Sequence, residues 1–192
     1  MGDIVEDCQG LIQLLSDGSI VRSDPNIRLP RIHVDDDGSA LWKDCLYDER
    51  HNLHLRLYKP RSPPHAANLP VLYFLHGGGF CLGSRTSPRF HGFCLRLASA
   101  LQGAGGGGRT TASRRSTGSP PPWTTPPAPF KWLQGQAVLA DGADEWLRGG
   151  SVDFGRVFIV GDSSGGNLAT TWRWSSAADR QVWSRFGFGV TC

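Results

Sequence analysis

The chain has no run of about 18 apolar residues, so no helical segment is expected to cross a membrane. Its first residues, Met1-Gly2-Asp3-Ile4-Val5-Glu6-Asp7, carry acids where a secretion signal needs a basic region followed by an apolar core. Glu6 stands where a myristoylation signal needs Ser or Thr, and the cytoplasm is the expected location. The five cysteines (Cys8, Cys45, Cys81, Cys94 and Cys192) are odd in number and lack C-x-x-C or Cys/His ligand spacing. Reduced thiols are expected, rather than a disulfide framework or a metal site. Neither G-x-x-x-x-G-K-[ST] nor G-x-G-x-x-G occurs, which removes the common phosphate cradles. A formal charge of +3 is too small to select nucleic acid or an anionic membrane. No metal or cofactor is expected from these features, and no protein partner is readable from them.

Glycine and proline are abundant instead, 25 and 13 residues, and they are concentrated. Residues 103–129 hold Arg109, Arg114 and Arg115 with no acid, and residues 170–192 hold Arg173, Arg180 and Arg185 against Asp179. Outside those two segments the chain is net negative, so its basic balance is local.

Taken in order, Leu11 to Leu15, the turn cluster Ser16-Asp17-Gly18-Ser19, and Ile20-Val21 read as a hairpin. Leu53-His54-Leu55-Arg56-Leu57-Tyr58 alternates at period two, the pattern of a half-buried strand, which Lys59-Pro60 ends. His33, His51, His54 and His65 share no ligand spacing and are read as solvated or strand-face histidines. Val71-Leu72-Tyr73-Phe74-Leu75 is apolar throughout, as a strand covered on both faces must be, and it runs into His76-Gly77-Gly78-Gly79-Phe80. Glycines directly after a buried strand let the backbone approach a ligand and aim successive N–H groups into one space; they also suit a plain flexible turn. His76, at the strand end with glycines turning away, is read as a hydrogen bonder that holds the loop.

Phe90, Phe93, Cys94, Leu97 and Leu101 recur at three- and four-residue spacing and predict a helix over Pro88 to Leu101. A second helical stretch, with Trp132, Val138 and Trp146, is predicted over Lys131 to Leu147. Val157-Phe158-Ile159-Val160 is another buried strand, and Gly161-Asp162-Ser163-Ser164-Gly165-Gly166-Asn167 follows it. Alone, Gly-x-Ser-x-Gly is a weak pattern, because a serine in a glycine-rich turn is usually a turn residue. After a strand and before a helix it fits the sharp nucleophile elbow, with Ser163 in a strained backbone conformation and its glycine neighbours leaving room for close packing.

The pair is more specific than either member. Leu75-His76-Gly77-Gly78-Gly79-Phe80 with Gly83-Ser84, the elbow some 85 residues on, and the Leu15-Ser16-Asp17-Gly18-Ser19 hairpin together resemble the plant carboxylesterases. These form part of the hormone-sensitive-lipase branch of the α/β-hydrolases, which includes the gibberellin-receptor-like proteins. The resemblance covers residues 1–102 and 130–169 and implies a single, incomplete, doubly wound α/β-hydrolase domain over 1–192. In that domain the amino-terminal part is strand-rich, 103–129 is low in order and the tail 170–192 is irregular. It also implies that Ser163 attacks the carbonyl of a small-molecule ester. The N–H groups of Gly77, Gly78 and Ser164 would hold the oxyanion, each contributing on the order of 3 kcal/mol. His76, Gly79, Gly161, Asp162 and Gly165 would support the two loops, with Phe80 and Ser84 near the pocket mouth.

Two stretches depart from the family pattern. Residues 103–129 read as low-complexity linker where the family places a buried strand and a PDYRLAPEH motif. GC-rich synonymous codons for Arg109 to Pro127, read one base earlier, encode PDYRLAPEHRLPAAVDDA. Thr170 to Cys192 treated in the same way resembles the expected helix and next strand. Both stretches are therefore read as frame-displaced, which sequencing the transcript decides, and Trp172, Trp174 and Trp183 need no aromatic-cage role. All six histidines precede Ser163, and the only later acid is Asp179. The family order is nucleophile, acid, histidine. The chain is thus expected to be the amino-terminal half of its family's fold, without the acid and base of the triad, and catalytically inactive. The alternatives are a gibberellin-receptor-like small-molecule binder and a truncated product without function.

Overall fold

The computed structural model describes residues 2–23, 34, 36–50, 52–62, 68–80, 82–100, 105–109, 128–139, 143–147, 152–175 and 187–191. His33, His51, His65, Cys81, Cys192, Asp179, Trp183 and residues 110–127 lie outside them. The chain divides into two compact units, Met1–His33 and Val34–Cys192.

The first unit holds β1 (Ile4–Cys8), β2 (Ile12–Leu15) and β3 (Ile20–Arg22), an antiparallel three-stranded sheet. The hairpin read from the sequence is β2 and β3, with Leu14 opposite Ile20. Its turn closes because Gly18 adopts a φ of 78°, open to glycine, while the Ser19 N–H donates to Asp17 Oδ1 at 2.9 Å.

The second unit begins with β4 (Ala40–Asp48), β5 (Leu53–Pro60) and β6 (Leu69–Leu75), followed by α1 (Pro88–Ala100) and β7 (Gly105–Arg109). It continues with α2 (Ala128–Val138), β8 (Val152–Gly161), α3 (Ser164–Ser175) and β9 (Gly187–Thr191). Its sheet order is β4-β5-β7-β6-β8-β9, parallel from β7 through β9 and antiparallel among β4, β5 and β7.

The apolar run of β6 explains the layering. Val71, Tyr73 and Leu75 bury one face against Phe130 and Leu133 of α2 and Leu168 and Ala169 of α3. Phe74 turns to the other face, against Cys94, Leu95 and Ala98 of α1. Helices cover both faces, so this is the doubly wound α/β-hydrolase architecture expected. The chain leaves β6 toward β7 on one side and returns to β8 on the other. The carboxyl ends of β6 and β8 are therefore the topological switch point, the place where open α/β sheets bind their ligands.

Four details differ from the sequence reading. Residues 105–109 lie in the stretch expected to be low in order, yet they form β7 between β5 and β6. Four glycines offer no side chain to pack; the unpaired backbone edges of β5 and β6 supply the reason for a strand there. The tail read as irregular likewise carries the end of α3 and β9, which pairs in parallel with β8. Arg56, on the polar side of the alternating pattern of β5, is only 6% exposed, because β5 is an interior strand with α1 over that face. The helix predicted to reach Leu147 ends at Val138; Asp144 then starts a turn whose Oδ1 accepts from the Trp146 N–H at 2.9 Å.

Among the described cysteines Cys8 is exposed, Cys45 half-buried and Cys94 buried, and all are free thiols. Burial pushes the thiols of Cys45 and Cys94 up to about 12. A disulfide reagent at about pH 8 should therefore modify Cys8 and spare Cys45 and Cys94, as read by peptide mapping; equal labelling of Cys94 and Cys8 would contradict the packing.

Candidate active site

Leu75 and Gly161 are register partners at the ends of β6 and β8, so the loops that follow leave the sheet side by side. The Asp162 N–H donates to the Leu75 carbonyl at 3.0 Å, extending the pairing one residue past β8. The chain then turns sharply. Ser163 has a φ of 51°, in the left-handed region that an L side chain rarely enters, and α3 starts at the next residue. Backbone bonds from Gly165 N–H to Asp162 O (2.8 Å) and from Asn167 N–H to Ser163 O (3.1 Å) close the turn into the helix.

The glycines at this turn answer to space rather than flexibility. A Cβ on Gly161 would strike the Gly165 carbonyl carbon and oxygen at 2.5 Å, and one on Gly165 would strike the Leu75 carbonyl and, at 2.8 Å, the His76 oxygen. The first turn of α3 is thus pressed against the end of β6, where only hydrogen fits. Ser164, its first residue, is buried, and its N–H belongs to the first-turn amides that have no acceptor within a helix.

The loop after β6 lies over this turn. A Cβ on Gly77 would come within 2.8 Å of Asp162 Oδ2 and 3.2 Å of Ser163 Cβ, so the glycine loop and the serine turn are in contact. Gly78, Gly79 and Phe80 take φ values of 126°, 58° and 63°, a consecutive left-handed run, and the Leu82 N–H donates back to Gly78 O at 2.8 Å. Buried His76 donates from Nδ1 to the Gly77 carbonyl at 2.7 Å, and its ring stacks on Phe90 at 5.1 Å. The carbonyl can only accept, so the proton is on Nδ1.

The structure therefore brings His76, Gly77, Gly161, Asp162, Ser163, Ser164 and Gly165 together, with Gly78 and Gly79 in the same loop. Phe80 is 39% exposed. Ser84, expected near a pocket mouth, has its hydroxyl on Thr86 Oγ1 at 2.8 Å, and its N–H donates to Ser87 Oγ at 3.1 Å at the start of α1. Two residues that sequence reasoning missed belong here: Arg89, with Nη2 3.6 Å from Asp162 Oδ2, and Phe90 beneath His76. The helical spacing of Phe90 with Phe93 and Cys94 marks a packed face but carries no sign of which loop that face meets. His91 turns Nδ1 to Tyr58 and Arg56. Among the described residues no group of three or more His, Cys, Asp or Glu could hold a metal ion, and no helix is long and apolar enough to cross a membrane.

A serine raised on a strained turn at a helix N-terminus, in contact with the glycine loop that follows β6, is an arrangement suited to acyl transfer. No protein-family model matches the chain. An Arabidopsis thaliana protein named "Probable carboxylesterase 8" is 33% identical over 160 residues, which are 82% of this chain and 46% of that protein. "Carboxylesterase 20" of the same plant is 31% identical over 160 residues, 80% of this chain and 46% of that protein. Among solved structures, brefeldin A esterase, titled a bacterial homologue of human hormone-sensitive lipase, matches with a TM-score of 0.52 at 20% identity. That match covers 81% of this chain and 41% of the other, and it speaks to fold alone. The chain spans about half the length of the curated relatives it matches.

Proposed function

The chain belongs to the plant carboxylesterases of the α/β-hydrolase fold, and from that premise we propose that its site is built to hydrolyse small-molecule carboxylic esters. The observation that carries this reading is the contact of the Gly77 loop with Ser163 in its left-handed turn. In the proposed reaction Ser163 Oγ bonds to the ester carbonyl carbon while the carbonyl electron pair moves onto oxygen. That oxyanion is held by the N–H groups of Gly77, Gly78 and Ser164. Collapse of the intermediate expels the alcohol and leaves an acyl-serine, which water then hydrolyses.

The serine proton needs an acceptor. In this fold the histidine of the triad follows the nucleophile, whereas all six histidines of the chain precede Ser163; His91 Nδ1 is occupied by Tyr58 and Arg56. We therefore infer that residues 1–192 by themselves hold the nucleophile and the oxyanion hole without the general base, and turn esters over slowly. A short-chain p-nitrophenyl ester tests this. Added imidazole should serve as the missing base and raise p-nitrophenol release by roughly tenfold, with acyl groups mapped to Ser163 by mass spectrometry. Above the release that imidazole gives without protein, Ser163→Ala should show neither effect. Equal rates for the two proteins in imidazole would reject catalysis by Ser163. A small-molecule binder or a product without function gives no acyl-serine under either condition.

A further inference from the structure

Away from Ser163, helix α1 is joined to the sheet by a cluster that ester hydrolysis does not use. His91 Nδ1 stands 2.9 Å from Tyr58 Oη and 3.3 Å from Arg56 Nη1, and its ring meets Trp42 edge-on at 5.1 Å. Arg56 is in turn fixed: Nε and Nη2 donate to the two Asp44 carboxylate oxygens at 2.8 and 2.9 Å, and its guanidinium lies 4.0 Å from the Trp42 ring centre. Asp44 also accepts from Arg85 Nε at 3.1 Å, in the segment between the glycine loop and α1. The groups facing His91 are thus Trp42 and Asp44 from β4, Arg56 and Tyr58 from β5, and Asp36 from the segment before β4. Cys94, one turn along α1, lies against Tyr58.

A guanidinium can only donate, so His91 Nδ1 must present its lone pair and carry its proton on Nε2. We propose that this cluster is an acid-sensitive latch: protonating His91 turns its acceptor into a donor aimed at Arg56 and releases α1 from β4 and β5. Tyr58 can rotate its hydroxyl to accept, but Arg56 is held by Asp44 and Trp42 and cannot. The release reaches the candidate site because Arg89 and Phe90, the two residues before His91, touch Asp162 and His76.

The energetics agree in sign. Burial, and then the Arg56 charge, lower the proton affinity of His91 below the ordinary 6.5, against the smaller pull of Asp36 and Asp44. The unfolded chain then binds more protons below pH 6.5. Stability is full above that pH and is lost as pH falls from there through the folded-state value.

The test uses the 192-residue chain and its His91→Asn variant, whose Oδ1 falls near the position of Nδ1 and accepts without titrating. Between about pH 7.5 and 5.5 the wild type should lose about 2–4 °C more in thermal midpoint than the variant. Should the variant fail to fold, histidine ring NMR of the wild type decides, the His91 signal being identified by its proximity to Trp42. A His91 midpoint below 6.5 supports the latch. A midpoint at or above 6.5, or an equal acid loss in His91→Asn, overturns it. Neither measurement depends on Ser163, so the latch and the esterase reading fail separately.

Discussion

Replacing Gly165 with alanine should remove the cooperative thermal transition of the chain. The added methyl would lie 2.6 Å from the Leu75 carbonyl carbon and 2.8 Å from the His76 oxygen, closer than Cβ atoms tolerate. Both obstacles are backbone at the end of β6, an interior strand paired on both sides, so neither can swing away as a side chain could. Relief requires α3 to lift from β6, which also separates Leu168 and Ala169 from the core they share with Tyr73 and Leu75. Overpacking of this kind costs about 3 kcal/mol or more, a large part of the ordinary stability of a domain. Gly135→Ala is the matched control. Nothing lies within 4 Å of its added Cβ on α2, so it should gain about 0.5–1 kcal/mol from helix propensity. Circular dichroism melts read both variants, and an unchanged midpoint for Gly165→Ala would refute the close approach of α3 to β6.

The second large effect is expected at Asp44. Arg56 is almost wholly buried on β5, and both of its forward N–H groups end on the Asp44 carboxylate. Asp44→Ala leaves that guanidinium buried against Trp42 without a counter-charge, which costs about 3 kcal/mol. The double variant Asp44→Ala with Arg56→Met should recover part of the loss, since methionine keeps an apolar stem on the Trp42 ring and removes the unpaired charge. Urea midpoints of the two variants decide between a paired buried charge and a surface pair: a double variant less stable than Asp44→Ala would contradict the former. Acid acts on the same contact. Burial alone would push the Asp44 carboxyl up, but hydrogen bonds from Arg56 and Arg85 outweigh it and hold the group below the ordinary 3.8. The pair therefore stabilises the fold above pH 3.8 and is lost as pH falls through the folded-state value. The Asp44 loss begins only below 3.8, whereas that of His91 begins below 6.5, so the onsets in a pH series of melts distinguish the two.

The candidate site was legible because its signals are local. An apolar run followed by glycines states where a covered strand ends and where the backbone must pass close to something, and this holds for Leu75 to Gly79 and for Val160 to Gly165 alike. Composition is silent on β7. Gly105 to Gly108 have no side chains to report burial, and their strand exists because β5 and β6 present backbone groups on either side. The alternation in β5 was readable, but it assigned Arg56 to solvent, since a period of two separates faces without saying whether a helix covers the polar one.

By itself, then, the sequence determined the two strand-to-loop turns, the serine and glycines they carry and the family to which they point, because each depends on residues adjacent in the chain. Only the tertiary structure decided that Gly77 lies against Ser163, that Arg89 and Phe90 of α1 meet those turns, and that Arg56, Asp44 and His91 share one cluster. Those contacts join residues far apart in sequence. They are set by strand order and by which face of the sheet each helix covers, which no local pattern encodes.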